Sequence, residues 1–253
     1  MFTGKNIIVL DVETAHSAED CRHCGVAEDQ HYSDGACQPW SGSIPGNCIT
    51  QFSAIGWDNK PALGLSIGGY WDYADSRIHW FDPTTLEATV CLFVARQPLM
   101  VTFNGIGFDF PLMRGLLRRT DEEERLAQQN AMGIMLEERT NITHLCDLFK
   151  TQCATSYDIL AEILRVDPGR KFERNLNSLE AIARANGLGA KRSHGAQAPR
   201  DWAAARYADV LNYCQDDVLK TKALFELIVK QGSLLRGDGQ EIALPTPGGI
   251  SIR

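Results

Sequence analysis

The sequence predicts an α/β protein, a mixed sheet flanked by helices, with a cysteine-rich insertion after the first strand. Three observations lead there. A short β-branched run, Ile7-Ile8-Val9-Leu10, opens the folded pattern; two apolar stretches spaced like a hairpin follow it; and helical periodicity dominates the second half. The resulting order of strand, hairpin, helix, strand and helices is that of a mixed sheet covered by helices.

Each element has its own reason. Ile7 to Leu10 reads as a buried strand because branched side chains pack well on a pleated surface. After Thr14 the chain turns abruptly polar and rich in Gly and Cys, which marks an insertion over residues 15–59. Ala62 to Tyr73 and Arg77 to Phe81 read as two strands joined at Ala74-Asp75-Ser76. Leu86 to Arg96 has helical spacing, and Leu99 to Phe103 is a second buried strand. Phe110 to Arg119 reads as a helix with Pro111 near its start, where a missing N–H costs nothing. Residues 120–140 carry a charged run and a Leu/Met pattern that reads as an exposed helix or lid. His144 to Phe149 is read as a strand; Tyr157 to Val166, Leu176 to Asn186 and Asp201 to Gln231 are read as helices. The tail, 232–253, has Ile242 to Leu244 as its one strand-like piece. We expect a single domain over 1–253, with the insertion inside it.

With 253 residues and 44% hydrophobic content the chain can bury a sizeable core. No apolar run has the length of a secretory segment or a membrane span, so a cytoplasmic location and no membrane partner are expected. A formal net charge of −7 argues against a protein that coats nucleic acid by charge alone. The basic residues are nevertheless uneven. Between Arg165 and Arg206 nine of them face only Asp167, Glu173, Glu180 and Asp201, a segment suited either to phosphate contact or simply to a solvated helical face.

Three groups of carboxylates carry the chemical signal. Asp11 and Glu13 alternate along a strand, so both point to one face at its carboxyl end, the edge where α/β sheets gather ligands. Such a pair also occurs as a plain cap. Asp109 follows an apolar strand and the Asn104-Gly105 turn, in the first turn of a helix that returns it to the sheet edge; a first-turn carboxylate is equally favoured by the helix dipole. Tyr213 and Asp217 stand four residues apart on one face of a long helix, and Thr221 extends that stripe. An aspartate among Val210, Leu211, Val218 and Leu224 needs a cation or a hydrogen-bond partner. Asp216 lies about 100° round the helix and is expected to face solvent.

Together these elements resemble the DEDDy 3′–5′ exonucleases of the ribonuclease H-like superfamily, in particular stand-alone members similar to the proofreading domains of family B polymerases. In that family an Asp-x-Glu strand, a turn of the type Asn-x-x-x-aromatic-Asp and a Tyr-x-x-x-Asp helix follow one another. Here they occur in that order, with one extra residue between Asn104 and Phe108 compared with some variants. The resemblance runs from about Asn6 to Leu227 and omits the insertion. It implies a ribonuclease H-like sheet and phosphodiester hydrolysis at 3′ ends. Two Mg²⁺ or Mn²⁺ ions would be held by Asp11, Glu13, Asp109 and Asp217, with Asp11 bridging both. It also implies that Tyr213 orients the attacking water and that Asn104 and Phe108 contact substrate. Phe108 and Phe110 are candidates to stack terminal bases, against an ordinary place in the core. The partner implied is nucleic acid, foremost a single-stranded 3′ end.

The insertion lies outside the resemblance. Cys21-x-x-Cys24, Cys37 and Cys48, with His23 and His31 close by, offer a structural zinc site in a stretch too poor in apolar residues to pack by itself. Free thiols on a polar loop are the other reading, since the second pair is not a Cys-x-x-Cys. Cys91, Cys146, Cys153 and Cys214 read as small buried residues. Three functions stay open: a DNA exonuclease, an RNA-trimming enzyme of the same chemistry, and a non-catalytic binding module. The intact carboxylate set argues against the last.

Overall fold

The computed structural model describes residues 6–20, 53–118, 139–168, 173–189 and 197–247. Cys21, Cys24, Cys37, Cys48, His23 and His31 lie outside these residues, as does the stretch 119–138 of the expected lid.

Five strands form a mixed sheet: β1 (Ile7–Thr14), β2 (Leu65–Asp72), β3 (Arg77–Phe81), β4 (Leu99–Thr102) and β5 (Tyr157–Asp158), in the order β3-β2-β1-β4-β5. β1 is central, antiparallel to β2 and parallel to β4, and β4 continues parallel to β5. This arrangement is consistent with the ribonuclease H-like sheet implied by the resemblance. A short helix, α1 (Lys60–Leu63), precedes β2, so the strand expected from Ala62 starts at Leu65 instead.

Because β1 is covered on both faces, its run of Ile7 to Leu10 is apolar without alternation. Ile8, Leu10 and Val12 join one core with α2 (Leu86–Arg96), helix α3 (109–118) and α4 (Arg139–Cys153). Ile7 and Val9 join the other, beneath α7 (Leu179–Ala185) and the long α9 (Tyr207–Gln231). Asp11 and Glu13 continue the second series of alternate positions. One face of β1 thus changes from apolar to acidic as the strand nears its carboxyl end.

Several sequence expectations are corrected. His144 to Phe149 is helix, not strand: Leu145, Cys146, Phe149 and Cys153 are buried together at helical spacing, a period hidden when the run is cut at Phe149. Tyr157 and Asp158 belong to β5, and helix α5 (Ile159–Val166) starts after them. Leu176 to Asn186 is divided between α6 (Arg174–Asn177) and α7 at Ser178, whose hydroxyl accepts from the Ala181 N–H and caps α7. The stretch from Asp201 is likewise broken. α8 (Ala198–Ala203) ends in a turn with Ala205 at φ +56°, and α9 starts at Tyr207. Cys91 is exposed, whereas Cys146, Cys153 and Cys214 are buried.

The tail holds a hairpin, β6 (Ser233–Leu235) with β7 (Glu241–Ala243), where one strand-like piece was expected. Leu234, Ile242 and Leu244 are buried against α9's core. Arg236, almost fully enclosed, bonds Asp167, Asp238 and Gln240 and ties the hairpin to the end of α5. Among the described residues no helix is long and apolar enough to cross a membrane.

Candidate active site

The acidic end of β1 meets α9. The buried stripe of this helix, Val210, Tyr213, Cys214, Asp217, Val218, Thr221, Leu224, Phe225 and Ile228, repeats every three or four residues and lays its middle across β1 and β2. Close approach requires small neighbours. Gly69 pairs with Asp11 across the sheet, and a Cβ there would lie 3.3 Å from the Cys214 sulfur. The Cys214 thiol donates to the Asp11 carbonyl at 3.6 Å. Its sulfur and carboxylate oxygens of Asp11 and Glu13 all lie within 4.8 Å of one another.

Asp109 arrives from the other side. Its turn is shaped by Asn104, at φ +70°, and by Gly105, where a Cβ would come 2.5 Å from Thr102. The Asp158 carboxylate then clasps the turn, accepting from the Asn104 N–H at 3.0 Å and the Ile106 N–H at 2.8 Å, while also capping α5 through the Ala161 N–H. Asp109, only 3% exposed, accepts from the Val12 backbone N–H and so reaches β1 just beside Asp11. Burial first, then the charges of Asp11 and Asp158, push its carboxyl well above the ordinary range.

The same crowding registers on the neighbours. Burial, then the charges of Asp217, Glu13 and Asp11, push the Tyr213 phenol far up, and that phenol donates a hydrogen bond to Asp217. Burial again leads for the Cys214 thiol, followed by Asp11, Glu13, Asp217 and Asp109. One buried sulfur therefore feels all four carboxylates, drawn from three segments far apart in the chain. Asp216, by contrast, pairs with Lys220 at 2.5 Å and stays partly exposed. Asp217 is the buried one of the two, beside Tyr213.

A comparison with protein families matches residues 84–238 to a family described as a predicted 3′–5′ exonuclease related to the exonuclease domain of PolB. The chain belongs to this family. The matched stretch of this exonuclease-family chain carries Asp109, Tyr213 and Asp217, whereas Asp11 and Glu13 precede it and are brought in by the sheet. No curated protein and no solved structure matches the chain.

The donor set fits divalent cations. Glu13, Asp109 and Asp217 are buried and Asp11 half-buried, and carboxylates enclosed together need positive charge to remain ionised. Hard oxygen donors favour Mg²⁺ or Mn²⁺. Asn104 and Phe108 stand beside this cluster without belonging to it. Asn104 is an exposed turn residue, and Phe108 leans on the core with its ring 6.1 Å from that of Trp57. Phe110 is a core residue, edge-on to Phe149. In the basic segment, Arg165 is engaged by Glu162, and Arg206 by Asp201 and Asp209. Sequence reasoning missed Asp158 and the central place of Cys214. An aspartate just ahead of the apolar helix Ile159–Val166 is an N-cap signature that points to the former.

Proposed function

We propose that the protein is a metal-dependent 3′–5′ exonuclease of the DEDDy type acting on DNA, with single-stranded 3′ ends as its first substrate. The observation that carries the reading is the convergence of Asp11, Glu13, Asp109 and Asp217 around the Cys214 thiol, in a chain of a predicted exonuclease family. These four carboxylates would hold two Mg²⁺ or Mn²⁺ ions, supplying a lowered pKa for water and charge neutralisation on the attacking and leaving oxygens.

The chain's own groups do the rest. A phenol ionises only at about pH 10, and burial raises that further, so Tyr213 keeps its proton. Its one proton is given to Asp217, so it orients water by accepting a hydrogen bond through its oxygen and does not act as a base. Its bond to Asp217 sets the ring's direction. Asp158 holds the turn that presents Asp109.

The test is hydrolysis of end-labelled single-stranded DNA, duplex DNA and RNA in Mg²⁺, Mn²⁺ or EDTA. Stepwise loss from the 3′ end of single-stranded DNA, abolished by EDTA, is expected. Preference for RNA would move the reading to RNA trimming. No cleavage of any substrate in either metal would overturn it.

A further inference from the structure

We propose that Trp80 is a positioning residue for the carboxylate cluster: across the gap left by Gly69 it holds the Cys214 turn of α9 against β1 and so sets the spacing of Asp217 and Asp11. The proposal rests on the exonuclease reading above. Directly paired residues of antiparallel strands point to the same face. Asp11 pairs with Gly69, and Gly69 with Trp80, so Asp11 and Trp80 face the same way at one level of the sheet, about 10 Å apart across two strand spacings. Between them stands a residue with no side chain.

α9 uses that space. The helix lies over β1 and β2, and β3 is the edge strand beyond them. A Cβ on Gly69 would meet the Trp80 ring at 2.8 Å and the Cys214 sulfur at 3.3 Å, so ring and sulfur flank the one point that the glycine leaves open. Trp80, 38% exposed, thus turns one edge of its ring inward onto this point and leaves the rest in solvent. An aromatic edge is a favourable neighbour for sulfur. On its other side the Cys214 thiol donates to the Asp11 carbonyl. Tyr213 immediately precedes Cys214, and Asp217 follows it by three positions, within one turn of the helix. A shift of α9 towards β3 therefore carries Tyr213 and Asp217 away from Asp11 and Glu13, and the Trp80 ring stands in its path. Gly69 and Trp80 both precede the matched residues 84–238.

The experiment is a double-mutant cycle of Gly69→Ala and Trp80→Ala in the full chain, read by Mn²⁺ dissociation constants from electron paramagnetic resonance and by hydrolysis of single-stranded DNA in Mg²⁺. Trp80→Ala should raise the Mn²⁺ dissociation constant about 10-fold and lower kcat about 10–100-fold, with KM within about two-fold. Trp80→Phe restores a ring edge and should recover most of both losses. Gly69→Ala drives a methyl group into the ring's place and should also weaken Mn²⁺ about 10-fold. In the Trp80→Ala background that methyl has room, and its effect should shrink to within about two-fold. Losses that multiply in the double variant overturn the proposal. So does a Trp80→Ala protein with a lower melting point but wild-type Mn²⁺ affinity and kcat, the pattern of a side chain that only packs. If Trp80→Ala does not fold, Trp80→Leu takes its place in the cycle. A wild type that binds Mn²⁺ but cleaves nothing removes the exonuclease reading, and the affinities alone then decide the positioning role. A wild type that binds no Mn²⁺ overturns both.

Discussion

Asp216 and Asp217 are neighbours in the chain with opposite surroundings: the first shares a partly exposed ion pair with Lys220, the second is 6% exposed and accepts from Tyr213. Asp217→Asn should therefore lower nuclease turnover by on the order of 10³-fold, and Asp216→Asn should leave it within about two-fold. Without metal, Asp217→Asn should also melt higher than wild type, because it removes one of four crowded charges. Thermal scans in EDTA read that sign, and a lower melting point would contradict it. Tyr213→Phe removes the hydroxyl and leaves the ring, so single-turnover rates in saturating Mg²⁺ should fall about 10–1,000-fold with little change in metal affinity. An unchanged rate would make Tyr213 a packing residue.

The turn between β4 and α3 owes its shape to Asp158, which lies 54 positions beyond Asn104 and 52 beyond Ile106. Asp158→Ala removes a cap and two further hydrogen bonds from backbone N–H groups, for which we expect a loss of about 2–4 kcal/mol in urea unfolding. A fall in activity of about 100-fold should accompany it as Asp109 moves. Activity unchanged at full stability loss would separate the turn from the site. The elements were legible where they were long or strongly patterned. Ile7 to Leu10, the hairpin, Leu86 to Arg96 and the Tyr213–Asp217 stripe are set by local periodicity, and the structure has them. The misses share another cause. β5 has two residues and exists only because β4 offers it a partner. The break before Tyr207 rests on Ala205 in a left-handed conformation that an alanine does not announce. β6 and β7 are too short for a period to show, and Arg236 is buried among the polar partners Asp167, Asp238 and Gln240, which no apolar pattern announces.

At the scale of the molecule, acid should act through carboxylates that fold into cation contacts away from the site. Burial raises the Asp72 carboxyl, but the Arg96 guanidinium and the Ala74 N–H outweigh it and hold it below the usual range; Arg236 and the Gln240 N–H hold Asp238 down to about 2. Depressed carboxyls stabilise the fold above their unfolded values, near 4, and that contribution is lost as pH falls through the folded values. Asp72→Ala should therefore cost about 1–2 kcal/mol at pH 7, with the gap to wild type closing towards pH 2. Urea midpoints across pH 2–7 measure it, and a gap independent of pH would exclude the ion pair as its source. The contact between Cys214 and the Asp11 carbonyl spans 203 positions. Such a closure comes late in folding, after local helices and hairpins have formed, because its loop entropy must be met before any contact repays it. On dilution from urea, helical circular dichroism should recover ahead of nuclease activity. During synthesis the order is stricter still: a chain halted short of Asp217 carries Asp11, Glu13 and Asp109 and has nothing yet to close them into a site.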